Sequence, residues 1–391
     1  MSTLKTHVRP MVGRDKDETH RAATPLELFF DLISVIAIAA AATELHHAIA
    51  EDHLGEGLIG FVLTFFGIWW AWMNFTWFAS AYDTDDVPYR IAVMVMMVGA
   101  LLFAAGVPVL FTGSTLLGLG GYIIMRLALV SLWLRAAKHD KDRRTTAMRY
   151  AIGITIVQIA WVVMFFTAPP ELFMPLYFLL IGCELAVPVY AERAGSTTWH
   201  RHHIVERYGL LTIIVLGESF VALVAAVAAT SDFSLQHTEL SLWILAGLII
   251  VFTMWWIYFS ENDYAALNSM ASGFLWGYGH FLVFAAVTAV GAGLAVGVDV
   301  ITDHAAVGKG MAVAAVNVPL AIFILSVWMV HERYAANGFV QTMLMPLVAV
   351  LILVSSFLES GVLIAAVLMI VCLTLKLRYQ SHRVMQVSAA G

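Results

Sequence analysis

The sequence predicts an all-α protein, a polytopic transmembrane helix bundle of about twelve spans arranged as two parallel six-helix repeats. Three observations carry that expectation. Hydrophobic residues make up 61% of the chain and charged residues 12%, with mean hydropathy +0.85. Soluble domains carry about 25% charged residues, and this much apolar surface cannot hide in one water-soluble core. Apolar runs of about 20 residues, the length that crosses a bilayer, recur along the chain. Finally, Lys and Arg gather in alternate connections, the bias that short cytoplasmic loops show.

Taken in order, residues 1–24 are polar and of mixed charge, with Lys5, Arg9, Arg14, Lys16 and Arg21. They lack an apolar run ending in a small-residue cleavage site, so they read as a cytoplasmic arm and not a signal peptide. A first repeat (25–191) holds spans at about 25–50, 57–79, 88–111, 114–136, 148–168 and 171–191. A basic inner linker (192–204) follows. A second repeat (205–379) holds spans at about 205–229, 238–260, 271–297, 309–331, 339–357 and 360–378, and a cytoplasmic tail (380–391) closes the chain. Only Glu359, Ser360 and Gly361 divide the last two spans.

Basic residues test this register. The arm, Arg90, the loop from Arg135 to Arg149, the loop from Arg193 to Arg207, Arg333, and the segment Lys376, Arg378 and Arg383 all fall inside. Lys309 is assigned outside, and Arg126 lies within a span. Both termini are therefore expected in the cytoplasm. The net charge of −6 reflects loops. Cys183 and Cys372 sit in apolar runs and suggest neither a disulfide framework nor a metal cluster.

Internal similarity underlies the repeat. "WWAWMNFTWFASAYDTDD" (69–86) resembles "FTMWWIYFSENDYAALNS" (252–269): Trp72 falls on Trp256, Phe75 on Phe259 and Thr76 on Ser260. Glu27 and Glu206 each open the preceding apolar run. Two halves that both start inside are parallel repeats about an axis along the membrane normal.

"ELFFDL" at the first span, the Trp-rich second span running into "DTDD", and "ERYGLLTIIVLGES" at 206–219 together resemble the bacterial low temperature requirement A (LtrA) family, from about Thr24 to about residue 380. The matching positions are Glu27, Phe29, Phe30, Asp31, Asp83, Asp85, Asp86, Arg90, Glu206, Arg207, Gly209, Glu218 and Ser219. "LISVIA" after Asp31 departs from the family pattern, in which an aromatic is expected near Ser34. The resemblance implies a polytopic inner-membrane protein linked to growth in the cold, and no defined chemistry.

The residues themselves say more. Thr24-Pro25-Leu26-Glu27 is a capping box with Pro at the first helical position, so Glu27 has a structural reason to be there. Asp31, four residues on, shares its face and lies roughly 9 Å into the helix. Unless paired, protonated or wet, a carboxylate within the bilayer costs about 2.5–3.5 kcal/mol. Glu184 and Glu218 lie deeper, and Pro188 removes the hydrogen bond that the Glu184 carbonyl would accept. Arg126 keeps its charge and needs an anion. Asp31, Glu184 and Glu218 are its candidates, for a structural salt bridge or for a pairing that competes with proton or substrate binding. His280 is either a proton relay or a helix-packing histidine. Glu44, His46 and His47 read as outer-interface groups rather than an incomplete metal site.

Asp83, Asp85, Asp86 and Arg90 form an inner interfacial motif with Glu27, Glu206 and Arg207. Asp86 ahead of Pro88 reads as the start of the third span, and cation binding by the three aspartates is the alternative. The run "TTWHRHHIVER" (197–207) reads as a basic face toward anionic headgroups. The tryptophans at 69, 70, 72, 77, 255 and 256 are an interfacial belt, or the lining of an apolar pocket.

These features point first to a proton-coupled secondary transporter of a small solute, an anion among the candidates. Asp31, Glu184, Glu218, Arg126 and His280 would carry the proton, ion or substrate. A non-transporting receptor, lipid-binding or assembly protein is the alternative. No nucleophile elbow or HExxH is present to support an enzyme. No cofactor, metal or nucleic acid is expected. Membrane lipids are the expected partners.

Overall fold

A computed structural model of the chain describes residues 8–19, 21–111, 116–229, 238–260, 267, 269–332 and 338–390. The elements are α1 (Pro25–Ala50), α2 (Leu54–Tyr82), α3 (Val87–Phe111), α4 (Leu116–His139), α5 (Arg144–Thr167) and α6 (Pro170–Glu192). They continue as α7 (Arg201–Ala229), α8 (Thr238–Phe259), α9 (Met270–Ile301), α10 (Lys309–Val327), a π-helical turn (Trp328–Glu332), α11 (Phe339–Ser355) and α12 (Gly361–Ala390). Among the described residues, ten helices are long and apolar enough to cross a membrane; α7 is not one of the ten, and α11 contributes only the shorter apolar stretch Thr342–Ser355. This is a multi-pass, all-helical membrane protein.

Local chemistry sets several helix ends. At α1 the Glu27 carboxylate accepts the Thr24 N–H at 2.7 Å, and the Thr24 hydroxyl oxygen accepts the Glu27 N–H at 3.3 Å. This is the expected capping box. Asp86 caps α3 by accepting the Tyr89 N–H at 3.2 Å. Ser269 and Ser272 form a second capping box at α9. The narrow break before α12 requires Gly361: a Cβ there would lie 2.3 Å from the Ser355 carbonyl oxygen. Helix α12 continues through the expected tail to Ala390.

The chain forms two compact units. Unit 1 comprises Met1–Ala40 and Phe66–Tyr208; unit 2 comprises Ala41–Phe65 and Gly209–Gly391. In unit 1, α3 packs on α4, α4 on α5 and α5 on α6. Backbone-close contact between α3 and α4 needs Gly121, whose Cβ would sit 2.4 Å from the Phe103 nitrogen. In unit 2, α9 packs on α10, α10 on α11, α11 on α12, and α12 on α8.

The described part of the N-terminal arm, residues 8–19 and 21–24, is docked through several contacts. In unit 1 Met11 is fully buried, and the Arg9, Gly13 and Arg14 N–H groups donate to Asp86, Asp140 and the Ala81 carbonyl. His200 Nε2–H donates to the Glu18 carbonyl at 2.7 Å. Part of the stretch read as a headgroup-facing basic surface is therefore spent on holding the arm.

Candidate functional site

Two i,i+4 pairs face each other in unit 1. Glu27 and Asp31 line one face of α1, and His203 and Arg207 line one face of α7; all four are fully buried. Asp31 and Arg207 each lie six residues into their helices, roughly 9 Å from the start. The guanidinium bridges both acids: Arg207 Nη2 is 2.5 Å from Asp31 Oδ1, and Nη1 is 3.2 Å from Glu27 Oε1. His203 Nε2 is 3.1 Å and Arg21 3.7 Å from the same Glu27 oxygen. Trp72 Nε1–H donates to Asp31 Oδ1 at 2.6 Å. The second Asp31 oxygen and the buried Tyr89 hydroxyl have no hydrogen-bond partner among the described residues. A cavity of about 10 Å³ adjoins Trp72, walled by Phe30, Ser34, Ile68, Phe103 and Met125 among others. That is room for about one water.

Sequence alone left the partner of Arg126 open among three acids. It is Glu184. Arg126 Nη2 donates to Glu184 Oε2 at 2.6 Å, joined there by Trp70 Nε1–H at 2.8 Å, while the Tyr122 hydroxyl donates to Oε1 at 3.1 Å. Trp70 and Trp72 are two positions apart on α2, roughly 200° around the helix, so each supplies an indole N–H to a different acid. Both rings are fully buried, whereas Trp255 and Trp256 on α8 are half exposed. The belt assignment fails at 70 and 72, where the indole is a hydrogen-bond donor to buried charge.

Arg126 is not the lone cation buried within a helix. Arg207 was assigned to an inner loop and is fully buried, and Lys376, assigned to an inner segment, is also buried. The sequence carried one usable signal for Arg207. His203 and Arg207 repeat the four-residue spacing of Glu27 and Asp31, so acids and bases can meet rung for rung. Glu218 lies in unit 2 and is partly exposed.

In unit 2, His280 is fully buried and Tyr258 and His331 nearly so. His280 Nδ1–H donates to the Trp276 carbonyl at 2.8 Å, and its Nε2 lies 3.0 Å from the Tyr258 hydroxyl and 3.3 Å from His331 Nε2. Glu332, next in the chain, pairs with Lys376 of α12. The expectation of a packing histidine missed this second imidazole, which α10 delivers through its π-helical turn.

The motif acids divide their work. Asp85 pairs with Arg90 at 2.8 Å, at the surface. Asp86 takes Arg135 and the Arg9 N–H. Asp83 accepts the Asp85 N–H at 2.8 Å. Burial, followed by the nearby Glu27 charge, pushes Asp83 up to about 6. Glu206 accepts the Ala23 N–H at 3.2 Å. His46, in unit 2, pairs with Asp299 at 2.6 Å and so is not simply solvated.

A family model described as "Bacterial low temperature requirement A protein (LtrA)" matches residues 22–376, a span that contains the polar clusters of both units. An uncharacterized protein of Rhizobium meliloti (strain 1021) is 26% identical over 310 residues, which is 74% of this chain and 73% of the relative.

Proposed function

The chain belongs to the bacterial low temperature requirement A (LtrA) family, and on that premise we propose that it is a proton-coupled secondary transporter of a small anion. One observation carries the reading: Glu27 and Asp31 share the buried Arg207 guanidinium. Two carboxylates, Arg207 and Arg21 sum to zero charge with His203 neutral. Burying such a group is costly, and well-packed apolar residues often replace an ion pair at no loss of stability. A functional reason for keeping it follows from the charge count. Protonating Asp31 releases one arm of Arg207 and leaves the cluster at +1. A monovalent anion on the freed guanidinium restores neutrality, so proton and anion load together, one to one. Trp72 holds Asp31 in place through either state, because an indole N–H can donate to a carboxylate or to a carboxyl oxygen.

Twelve spans in two parallel repeats, with both termini cytoplasmic in the bacterial inner membrane, complete this reading. The alternation of basic loops supports it. Arg126 and Glu184 form a second pair that holds α4, α6 and, through Trp70, α2.

Proteoliposomes loaded with a pH-sensitive dye test the proposal. Inward gradients of glutamate, gluconate or phosphate should acidify the lumen with wild-type protein. Asp31→Asn and Arg207→Gln should each lower the rate at least tenfold. Wild-type rates in both variants would remove this cluster from any transport mechanism. The competing reading is a non-transporting lipid-binding or assembly protein. It is favoured by the pairing of Glu27, Asp31 and Glu184 and by the small size of the cavity beside Trp72. Absence of flux across the panel, with a lipid retained through purification, would select it.

A further inference from the structure

We propose that His280, His331 and Tyr258 form a single-proton binding site in unit 2, in which one added proton is shared between two imidazoles. The assignment of a coupling role to that proton rests on the transport reading above; the binding site itself does not.

Its geometry comes first. A carbonyl oxygen only accepts, so the 2.8 Å contact to Trp276 makes His280 Nδ1 a donor. In the neutral ring Nε2 then carries the lone pair. That lone pair faces the Tyr258 hydroxyl at 3.0 Å and His331 Nε2 at 3.3 Å, and either can donate to it. Now add a proton at His280 Nε2. The same two neighbours become acceptors: the hydroxyl turns its oxygen toward the ring, or His331 shifts its own hydrogen to Nδ1 and offers Nε2. No heavy atom has to move. Both ring nitrogens of His280 thus keep a hydrogen-bond partner in the empty and in the loaded state, the condition under which a buried imidazole can exchange a proton without itself becoming an orphan. A second proton would set two imidazolium ions 3.3 Å apart, so the capacity is one.

The surroundings fit this use. His331 lies within the π-helical turn Trp328–Glu332, a local widening of the helix that is frequent at functional sites. Up to residue 380, the titratable groups on the elements around the pair are Tyr258 of α8, Tyr278 of α9, Glu332 of the π turn, and Cys372, Lys376, Arg378 and Tyr379 of α12, with Glu239, Asp299 and Lys309 at the far ends of α8, α9 and α10; α11, which also packs on the turn, has none. Glu332 and Lys376 neutralise each other, so the loaded imidazole does not meet an uncompensated cation.

Trp276 supplies a readout independent of flux. Its ring centroid is 4.1 Å from that of His280, and a charged imidazole quenches an adjacent indole. Full-length protein in nanodiscs would be titrated from pH 8 to pH 4.5, with Trp276→Phe subtracted to isolate this indole. The expected result is a reversible quench that vanishes in His280→Gln and shifts by at least one pH unit in His331→Leu. An unchanged quench in His280→Gln, or an unshifted one in His331→Leu, overturns the proposal. Should either variant fail to fold, ¹⁵N-histidine spectra of the wild type decide. One imidazolium formed within the pair supports the site, and two or none refutes it. A quench without proton flux in vesicles would sink the transport reading alone. Flux without a quench would sink this site alone.

Discussion

Unit 1 buries acids against guanidinium groups, whereas the histidine cluster of unit 2 buries bases against hydroxyl and carbonyl groups. In unit 1 Asp31 and Glu184 each meet an Arg and an indole N–H, while Glu27 meets Arg207, Arg21 and His203. In unit 2 the imidazoles meet each other, Tyr258 and the Trp276 backbone. The similar stretches at 69–86 and 252–269 illustrate the divergence. Trp72 is a buried donor to Asp31, while Trp256, on which it falls, is half exposed and Tyr258 two positions later does the polar work. The lesson is electrostatic. A cluster of mutually neutralising ions releases a charge only when something replaces it. A neutral cluster takes up a proton directly and pays by becoming charged.

Three experiments would break or sharpen this contrast. The largest effect is expected from Arg207→Met, which leaves Glu27 and Asp31 buried with their shared cation gone. Losing one partner of a buried pair costs roughly 3–5 kcal/mol, read as a lower Tm in detergent. Adding Glu27→Gln and Asp31→Asn should recover most of that loss, and no recovery would mean that packing, not charge, holds α1 to α7.

Next is Asp83→Asn, which should stabilise. The folded carboxyl titrates at about 6 against about 3.9 unfolded. Above pH 6 the folded state therefore buries an ionised group at a cost on the order of 3 kcal/mol. That cost fades as pH falls through 6 and is absent below about 4. Wild type should gain stability relative to the variant on acidification, and the two Tm curves should converge near pH 4. Parallel curves across that range would exclude Asp83 as the source.

His280→Leu should do least. It removes hydrogen bonds but leaves no uncompensated ion, so the expected loss is roughly 1–3 kcal/mol. A loss as large as that of Arg207→Met would show that the histidine cluster carries charge at neutral pH, and would erase the distinction between the units.

Much of the architecture follows from the chain read alone. Composition demands a membrane protein, because apolar surface in this proportion has nowhere else to go. Apolar run length places the helices, and the Thr24–Glu27 and Asp86 signals place their ends, since caps act over three or four residues. The Asp31 problem is also visible there: a carboxylate one turn past a cap needs a partner. Tertiary structure alone decided who the partners are. Glu184, Asp31 and Glu218 were equal candidates for Arg126, because charge complementarity is blind to helix order and rotation. Packing of α4 against α5 and α5 against α6 chose Glu184. It left Asp31 to Arg207, a residue that a linear reading counts as loop because its flanks are basic. The same holds for Trp70, Trp72 and His331. Whether an indole faces lipid or a carboxylate, and whether one histidine meets another, depends on rotation about helix axes and on a single π-helical turn, and neither is written in any local stretch of sequence.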